Sequence, residues 1–506
     1  MRHLQLRISS KISAAFVLFL ALAIFVQASS AQASGNKAPT SNVSVFKSTA
    51  LPNGVQGLQA QAEVQFKPQS GQDPLLTTFD VDPLNGSQIM EGFGGAMTES
   101  CAINLNRLTP ALRHEALEKL FSKTAGAGFD VIRLPMGASD FAESSLGSYT
   151  YDDPPGSSMD PGLHLFSMNR DEKSFALIRE AKAINPNLRV LITPWSPPAW
   201  MKTSQDLKAG TLSPAHFQDL ANYFSRTIRE YRARSIPVEM MTIQNEPGYA
   251  TTDYPSMSLS VNDQIKFISD FLGPQLERDK VSIRIYAHDH NYSMVDDVNS
   301  ILDDPKASKY VSGVAYHCYS GDRSQMNDSM SRHPGIPTIQ SECTAIGVSE
   351  AQKDFNWWLD NQSVGGVNQG TTGAIAWNLC LDEQYGPKNG GCPNCRGLIE
   401  TDFSKATPEL HYNPEYFALA QVSRFIVPGA QRLNVKVTTP KVHTIASPPM
   451  NASDVIESTA YRNPAGDFVF VAHNPGSVDL KFKMSQSGAA FVYDLPAQSA
   501  VTFTWR

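Results

Sequence analysis

Several things are scarce in this chain, and each shortage excludes something. Cysteine occurs only six times in 506 residues, too rarely to frame a disulfide-dense scaffold. Charge of one sign is not in excess: 42 Lys+Arg stand against 49 Asp+Glu, a formal net charge of −7, with no basic block. That excludes a nucleic-acid binder held by phosphate contacts. Beyond the N-terminus no apolar run is long enough to span a bilayer, and no repeat of about 20–50 residues recurs. What is present is 41% hydrophobic residues, ample for a large core, so a disordered or fibrous chain is excluded too. The length allows about three domains, or one α/β barrel of about 250 residues and more besides.

The first 33 residues carry an address. Arg2, Arg7 and Lys11 precede an apolar stretch from Ile12 to Val26, followed by the small residues Ala28-Ser29-Ser30-Ala31-Gln32-Ala33. This is the layout of a secretory signal, with cleavage after Ala31 or Ala33. A membrane anchor fits less well, because the apolar run is shorter than the ~20 residues a spanning helix needs. The expectation is a secreted or periplasmic protein in a compartment that permits disulfides. Residues 34–61, polar at their start, read as a flexible leader, and 62–87 as short strands that join a β-sandwich.

Between 88 and 427 strand-like and helix-like patterns alternate. Strands are expected at Ile89–Met97, Phe129–Met136, Leu188–Thr193, Val238–Gln244, Ser282–Ala287, Val311–Cys318, Pro337–Ser341 and Gly373–Asn378. Helices intervene, one opened by Thr109-Pro110 with Leu112, Leu117, Leu120 and Phe121 on its apolar face. Eight such units predict a (β/α)₈ TIM barrel, with a doubly wound open sheet as the competing arrangement. From 428 to 506 the helical period gives way to alternating runs separated by Asn463-Pro464 and Asn474-Pro475-Gly476, the pattern of a β-sandwich.

Reactive groups of such a barrel sit at the C-terminal ends of its strands. Glu246 follows the fourth strand, in Asn245-Glu246-Pro247, and Glu342 ends the seventh. Paired carboxylates across a cleft are what glycosidic cleavage requires: one protonates the leaving oxygen and the other attacks the anomeric carbon. Glu246 is assigned as acid/base and Glu342 as nucleophile, the neighbouring negative charge being expected to raise the pKa of the acid. Asn245 is placed to hold the sugar 2-hydroxyl. Aromatic residues suited to stacking on sugar rings follow the same strands: Trp195 after the third, Tyr316, His317 and Tyr319 at the sixth, Trp377-Asn378 at the eighth. Arg133 lies in the second strand and Asp140 in the loop after it, where a carboxylate can take two hydroxyls.

These residues carry a resemblance. Gly92-Phe93-Gly94-Gly95-Ala96-Met97-Thr98-Glu99, Ile132-Arg133-Leu134-Pro135-Met136, Pro194-Trp195-Ser196-Pro197-Pro198-Ala199-Trp200, Asn245-Glu246-Pro247, Tyr316-His317-Cys318-Tyr319 and Trp377-Asn378-Leu379 resemble glycoside hydrolase family 30, the group that includes lysosomal glucosylceramidase. The resemblance implies a barrel fused to a sandwich made from both chain ends, and a retaining mechanism with Glu246 as acid/base and Glu342 as nucleophile. It implies that Arg133, Asp140, Trp195, Asn245, His317 and Trp377 line the sugar subsite, and that neither metal nor organic cofactor is needed. Cys343-Thr344 after the nucleophile and the Cys392–Cys395 loop depart from glucosylceramidase and put the ceramide preference in doubt.

Cys392 and Cys395 have metal or redox spacing, but no second ligand pair accompanies them, so a local disulfide is expected. Cys318 and Cys343 end neighbouring strands and are paired likewise, while Cys101 and Cys380 stay unassigned. His288-Asp289-His290 puts two imidazoles on one side of a strand; hydrogen bonds to substrate or to the glutamates are preferred over a metal. The leading expectation is an exported β-glucosidase of glucosylceramidase type acting on a glycolipid or glucan. An endo-β-1,6-glucanase with the same chemistry is the alternative within enzymes, and a non-catalytic carbohydrate-binding protein the alternative outside them.

Overall fold

The computed structural model describes residue 39 and residues 42–69, 76–439 and 455–506. The expected secretory signal lies outside the described residues; among those described, no helix is long and apolar enough to cross a membrane.

Eight parallel strands close into a barrel: β5 (Gly92–Ala96), β6 (Val131–Pro135), β7 (Arg189–Thr193), β8 (Val238–Thr242), β9 (Arg284–Asn291), β10 (Val311–His317), β11 (Thr338–Cys343) and β12 (Gly373–Ala376). Closure comes from β12 pairing with β5, which excludes the open sheet. Glycines on both strands permit this tight join: a Cβ on Gly373 of β12 would lie 1.9 Å from the Gly92 carbonyl oxygen of β5. Helices cover the outside. Thr109 caps the helix Pro110–Phe121, with proline at its first position where no amide hydrogen is needed.

Inside the barrel one apolar layer takes a residue from seven strands: Val131, Leu191, Met240, Tyr286, Ala315, Ile339 and Ile375, all buried. Side chains two positions further along a strand return to the same face. The next layer towards the C-terminal ends therefore includes Arg133, Thr193, Thr242, His317 and Ser341, all buried. A greasy floor thus carries a polar storey.

The remaining strands are β1 (Asn42–Leu51), β2 (Gly54–Gln65), β3 (Lys67–Pro68) and β4 (Thr77–Ile89) from the N-terminal side, then β16 (Gln431–Thr438), β17 (Glu457–Arg462), β18 (Phe468–Asn474), β19 (Leu480–Gln486), β20 (Ala489–Leu495) and β21 (Ser499–Trp505). They form one ten-stranded sheet in the order β2-β1-β21-β18-β17-β16-β4-β19-β20-β3. The sheet folds over on itself into a sandwich, since Phe482 of β19 and Phe503 of β21, distant in strand order, meet with ring centroids 6.1 Å apart. A short third sheet, β13 (Cys380–Asp382), β14 (Ile399–Asp402) and β15 (Glu409–Tyr412), follows the last barrel strand.

The leader expected over 34–61 is corrected from Asn42 onward. β1 pairs with β21 and buries Val43 and Val45 in the sandwich core, while β2 forms the sheet's edge. The polar residues of β1 that suggested a leader alternate with buried Val43 and Val45, as in a strand that buries one face only. A second boundary also moves: Ile89 belongs to β4, paired with Gln431, and the first barrel strand begins at Gly92.

Candidate active site

Two register slips shape the mouth of the barrel. Along β9 and β10, Ala315 lies opposite His288 but Tyr316 opposite His290, and His288 and Asp289 take left-handed φ values of 78° and 63°. Such conformations cost about 1–3 kcal/mol each and persist where the surroundings enforce them. Along β10 and β11, Tyr316 lies opposite Gln340 but His317 opposite Glu342. A bulge lets consecutive residues serve one face, so Ser341 and Glu342 both reach the interior. Glu246 also has a positive φ, 47°, and its amide donates to the Asp289 carbonyl at 3.0 Å, which pins the loop after β8 onto the end of β9.

At the centre is Arg133, fully buried. One guanidinium nitrogen donates to Glu342; the other donates to Asn245 Oδ1 at 2.7 Å and Asp289 Oδ2 at 2.9 Å. Burial works against its charge, but Asp289 and Glu342 hold it protonated. Asp289 accepts further bonds from Thr242 Oγ1 at 2.8 Å and Ser341 Oγ at 2.5 Å. Burial would raise its carboxyl, yet Arg133 and His317 keep it ionised far below the usual carboxylate range.

His317 joins the two glutamates. Its Nδ1 lies 3.1 Å from Glu246 Oε1 and 3.9 Å from Glu342 Oε1, and its Nε2 lies 3.1 Å from Asp289 Oδ1. The two glutamate oxygens therefore cannot be further apart than those first two distances laid end to end, about 7 Å. Burial opposes the imidazolium, but Glu342, Asp289 and Glu246 push its pKa up to about 10. Tyr319 donates its hydroxyl to Glu342 Oε1 at 2.9 Å.

The expectation that the second carboxylate raises the pKa of Glu246 is corrected. Burial does raise it, but the hydrogen bond and charge of His317 bring the carboxyl below its ordinary value. A cation between two anions outweighs their mutual repulsion. The carboxyl that is raised belongs to Asp140, through burial and then the charges of Glu342 and Glu246.

Aromatic walls face this network. Trp195 and Trp377 stack with centroids 5.0 Å apart, and the Arg133 guanidinium lies 4.9 Å from the Trp195 ring. Phe141 meets Trp377 edge-on at 5.9 Å. Asn378 is fully buried, its Oδ1 accepting from Thr98 Oγ1 at 2.5 Å, while its Nδ2 has no partner among the described residues. Cys318 is joined to Cys343, which ties the segments carrying Tyr319 and Glu342, and Cys392 is joined to Cys395. Cys395 packs in the same apolar cluster as Trp195 and Trp377, and Gly391 lies so close that a Cβ there would stand 2.8 Å from Asp140 Oδ2. Cys101 and Cys380 are buried free thiols.

The structure separates some residues that sequence grouped. Tyr316 turns away and bonds Ser329 Oγ at 2.9 Å. His288 packs on the Tyr316 ring and approaches the Asn291 carbonyl, burial pushing its pKa down to about 3, whereas His290 lies 3.8 Å from Glu246. Two participants were missed. Asp289 reads in the sequence only as part of a histidine motif, because alternation does not say which of His288, Asp289 and His290 points inward once the register slips. Tyr254 joins the Trp195–Trp377 cluster from the loop after β8, where no pattern marks it.

A TIM barrel with two glutamates facing one histidine, over a tryptophan floor and beside a β-sandwich, defines a barrel glycoside hydrolase. The chain belongs to glycosyl hydrolase family 30: the TIM-barrel domain model of that family matches residues 90–426 and its β-sandwich domain model matches 429–503. It is 30% identical over 449 residues to an endo-1,6-β-D-glucanase of Aspergillus fumigatus, covering 84% of this chain and 87% of that protein. It is 28% identical over 475 residues to the lysosomal acid glucosylceramidase of Mus musculus, covering 87% and 84%. Among solved structures, the endo-β1,6-glucanase BT3312 superimposes with a TM-score of 0.80 at 29% identity, covering 92% of this chain and 99% of that one.

Proposed function

We propose that the chain is an endo-acting β-1,6-glucanase that cleaves by double displacement, with Glu342 as nucleophile and Glu246 as acid/base. The observation that carries the chemistry is the pair of carboxylates within reach of a single His317 nitrogen. The fungal and structural relatives named for β-1,6-glucan favour this substrate over ceramide, the leading expectation from sequence, which the more modest mouse match supports less. Two disulfides accord with action outside the cytoplasm.

Glu342 attacks the anomeric carbon as the glycosidic C–O bond breaks, and the leaving oxygen takes a proton from Glu246. Water then attacks the glycosyl ester and Glu246 takes its proton. Arg133 and Tyr319 hold Glu342 for attack, and their bonds to it weaken as its charge is lost to the ester. Because His317 is the protonated neighbour of Glu246, it supplies the proton that Glu246 delivers. The amide NH₂ of Asn245 remains for the sugar 2-hydroxyl, since its Oδ1 is taken by Arg133. Asp140, its carboxyl raised by burial and by the charges of Glu342 and Glu246, is placed to bond a sugar hydroxyl.

The test compares a β-1,6-glucan, glucosylceramide and 4-nitrophenyl β-glucoside as substrates. Rapid loss of glucan chain length with oligosaccharide products of retained β configuration is expected. Release of glucose alone from glucosylceramide would return the function to the glucosylceramidase type, and no turnover of any substrate would leave a binding protein.

A further inference from the structure

A second convergence of ligating side chains lies where the barrel's helical layer meets the sandwich. Asp360 stands in the turn Leu359–Ser363 that ends the helix Ala351–Trp358; Glu457 opens β17 and His473 lies in β18. Glu457 and His473 are cross-strand partners, which holds their side chains together. One ligating atom from each of the three lies within 4.8 Å of the others.

The state of the histidine can be read from its neighbours. Asn356 Nδ2 donates to Gln498 Oε1 at 2.7 Å, so Asn356 Oδ1 faces the ring and accepts from His473 Nε2 at 2.9 Å. In the neutral imidazole the proton is thereby committed to Nε2, and the Nδ1 lone pair remains. His473 is fully buried, and Nδ1 has no hydrogen-bond partner among the described residues; it lies 3.0 Å from Asp360 Oδ1. Glu457 Oε2 is likewise buried with no partner. Electron-rich atoms from three elements thus face one another. Acceptors in that arrangement need a cation or a proton between them. Arg323 supplies one positive charge nearby that lowers the Glu457 carboxyl, and among the described residues its buried Nη1 has no hydrogen-bond partner, so it bonds neither carboxylate. Asp360 is about one-third exposed, 34%, and opens the cluster to solvent.

We propose that Asp360, Glu457 and His473 form a divalent-cation site that ties the sandwich to the barrel. One imidazole nitrogen with two carboxylate oxygens is a donor set suited to Zn²⁺, with water completing the shell. Zinc bonds of about 2.0–2.2 Å require the donors to close slightly from their present spread, which Asp360, on the open side, can do by side-chain rotation. The bond of Nε2 to Asn356 is the outer partner that orients a ligating histidine. No sequence motif announces this site, because its three donors come from two domains.

The experiment uses the full chain carrying Glu246→Gln, which removes the other cluster able to take an ion, that of Glu246, His290 and His317. After EDTA treatment and dialysis the protein is incubated with ZnCl₂, desalted and analysed for zinc, and its Tm is recorded with and without the ion. One zinc per chain is expected, with a Tm higher by about 3 °C or more at saturating zinc. Asp360→Asn with Glu457→Gln should keep its circular dichroism spectrum and lose both effects. Zinc absent from the parent, or retained by the double variant, overturns the site. A Tm indifferent to zinc also overturns it.

Discussion

The barrel mouth and the sandwich core are both buried, and they are built on opposite principles. The mouth concentrates Arg133, Asp289, His317, Glu246 and Glu342 in one hydrogen-bonded network and holds Glu246, His288 and Asp289 at positive φ. The apolar core of the sandwich is built otherwise: Phe79, Phe470, Phe482, Phe491 and Phe503 pack edge to face and tilted. One region holds charges in place at the expense of stability, and the other supplies stability without chemistry. Buried ion networks are held together more by geometry than by net energy, because desolvation cancels most of the attraction. Apolar burial carries no such cancellation.

The comparison is broken most severely at Glu342. Glu342→Gln should lower kcat on a β-1,6-glucan by about 10⁴-fold or more, as loss of a nucleophile does, with Tm little changed because Asp289 still pairs with Arg133. Kinetics and calorimetry on the same sample check it, and a large fall in Tm would make Glu342 a structural residue. The opposite result belongs to Phe482→Ala: stability should fall by about 3–5 kcal/mol, while kcat per folded molecule stays the same. Urea unfolding alongside active-site titration separates the two.

His317→Gln should lower kcat/KM by about 10²-fold, the lower range of general-acid effects. It also moves a pH limb in a definite direction. The proton that Glu246 delivers is held on His317 and is lost only as pH rises through about 10, so without the imidazole the alkaline limb of the kcat/KM profile moves down towards the range of the carboxyl alone. The same histidine has a smaller effect on stability. Its pKa rises on folding from 6.5 to about 10, so its contribution is complete below about pH 6.5 and is lost as pH rises through about 10. The Tm difference between the native chain and His317→Gln should narrow across that window. The smallest effect is expected at Tyr319→Phe: the bond it removes positions Glu342 but weakens towards the transition state, so kcat/KM should change by no more than about 0.5 kcal/mol.

Much of the fold was legible because a strand or helix that must bury one face repeats its apolar residues at a fixed period. All eight barrel strands follow from such runs, and Val131, Leu191 and Met240 alternate with residues that pack outward. β2 was not legible, since an edge strand with a wet face has the composition of a loop. At the site, Glu246 and Glu342 could be found because each follows a strand and precedes a break. Asp289 could not be ranked with them, because simple alternation cannot say which of His288, Asp289 and His290 points inward once the register slips.

Sequence alone therefore determined the order of the barrel elements, the alternation that builds the barrel, and the two glutamates at its mouth, all of which depend on local patterns. Tertiary structure alone decided that His317 stands between those glutamates as a cation and so lowers rather than raises the pKa of Glu246. It also decided that Asp289 anchors Arg133, and that Asp360 meets Glu457 and His473 across a domain boundary. The reason is that a pKa and a ligand set are properties of what surrounds a side chain within a few ångströms, and those neighbours come from distant parts of the chain.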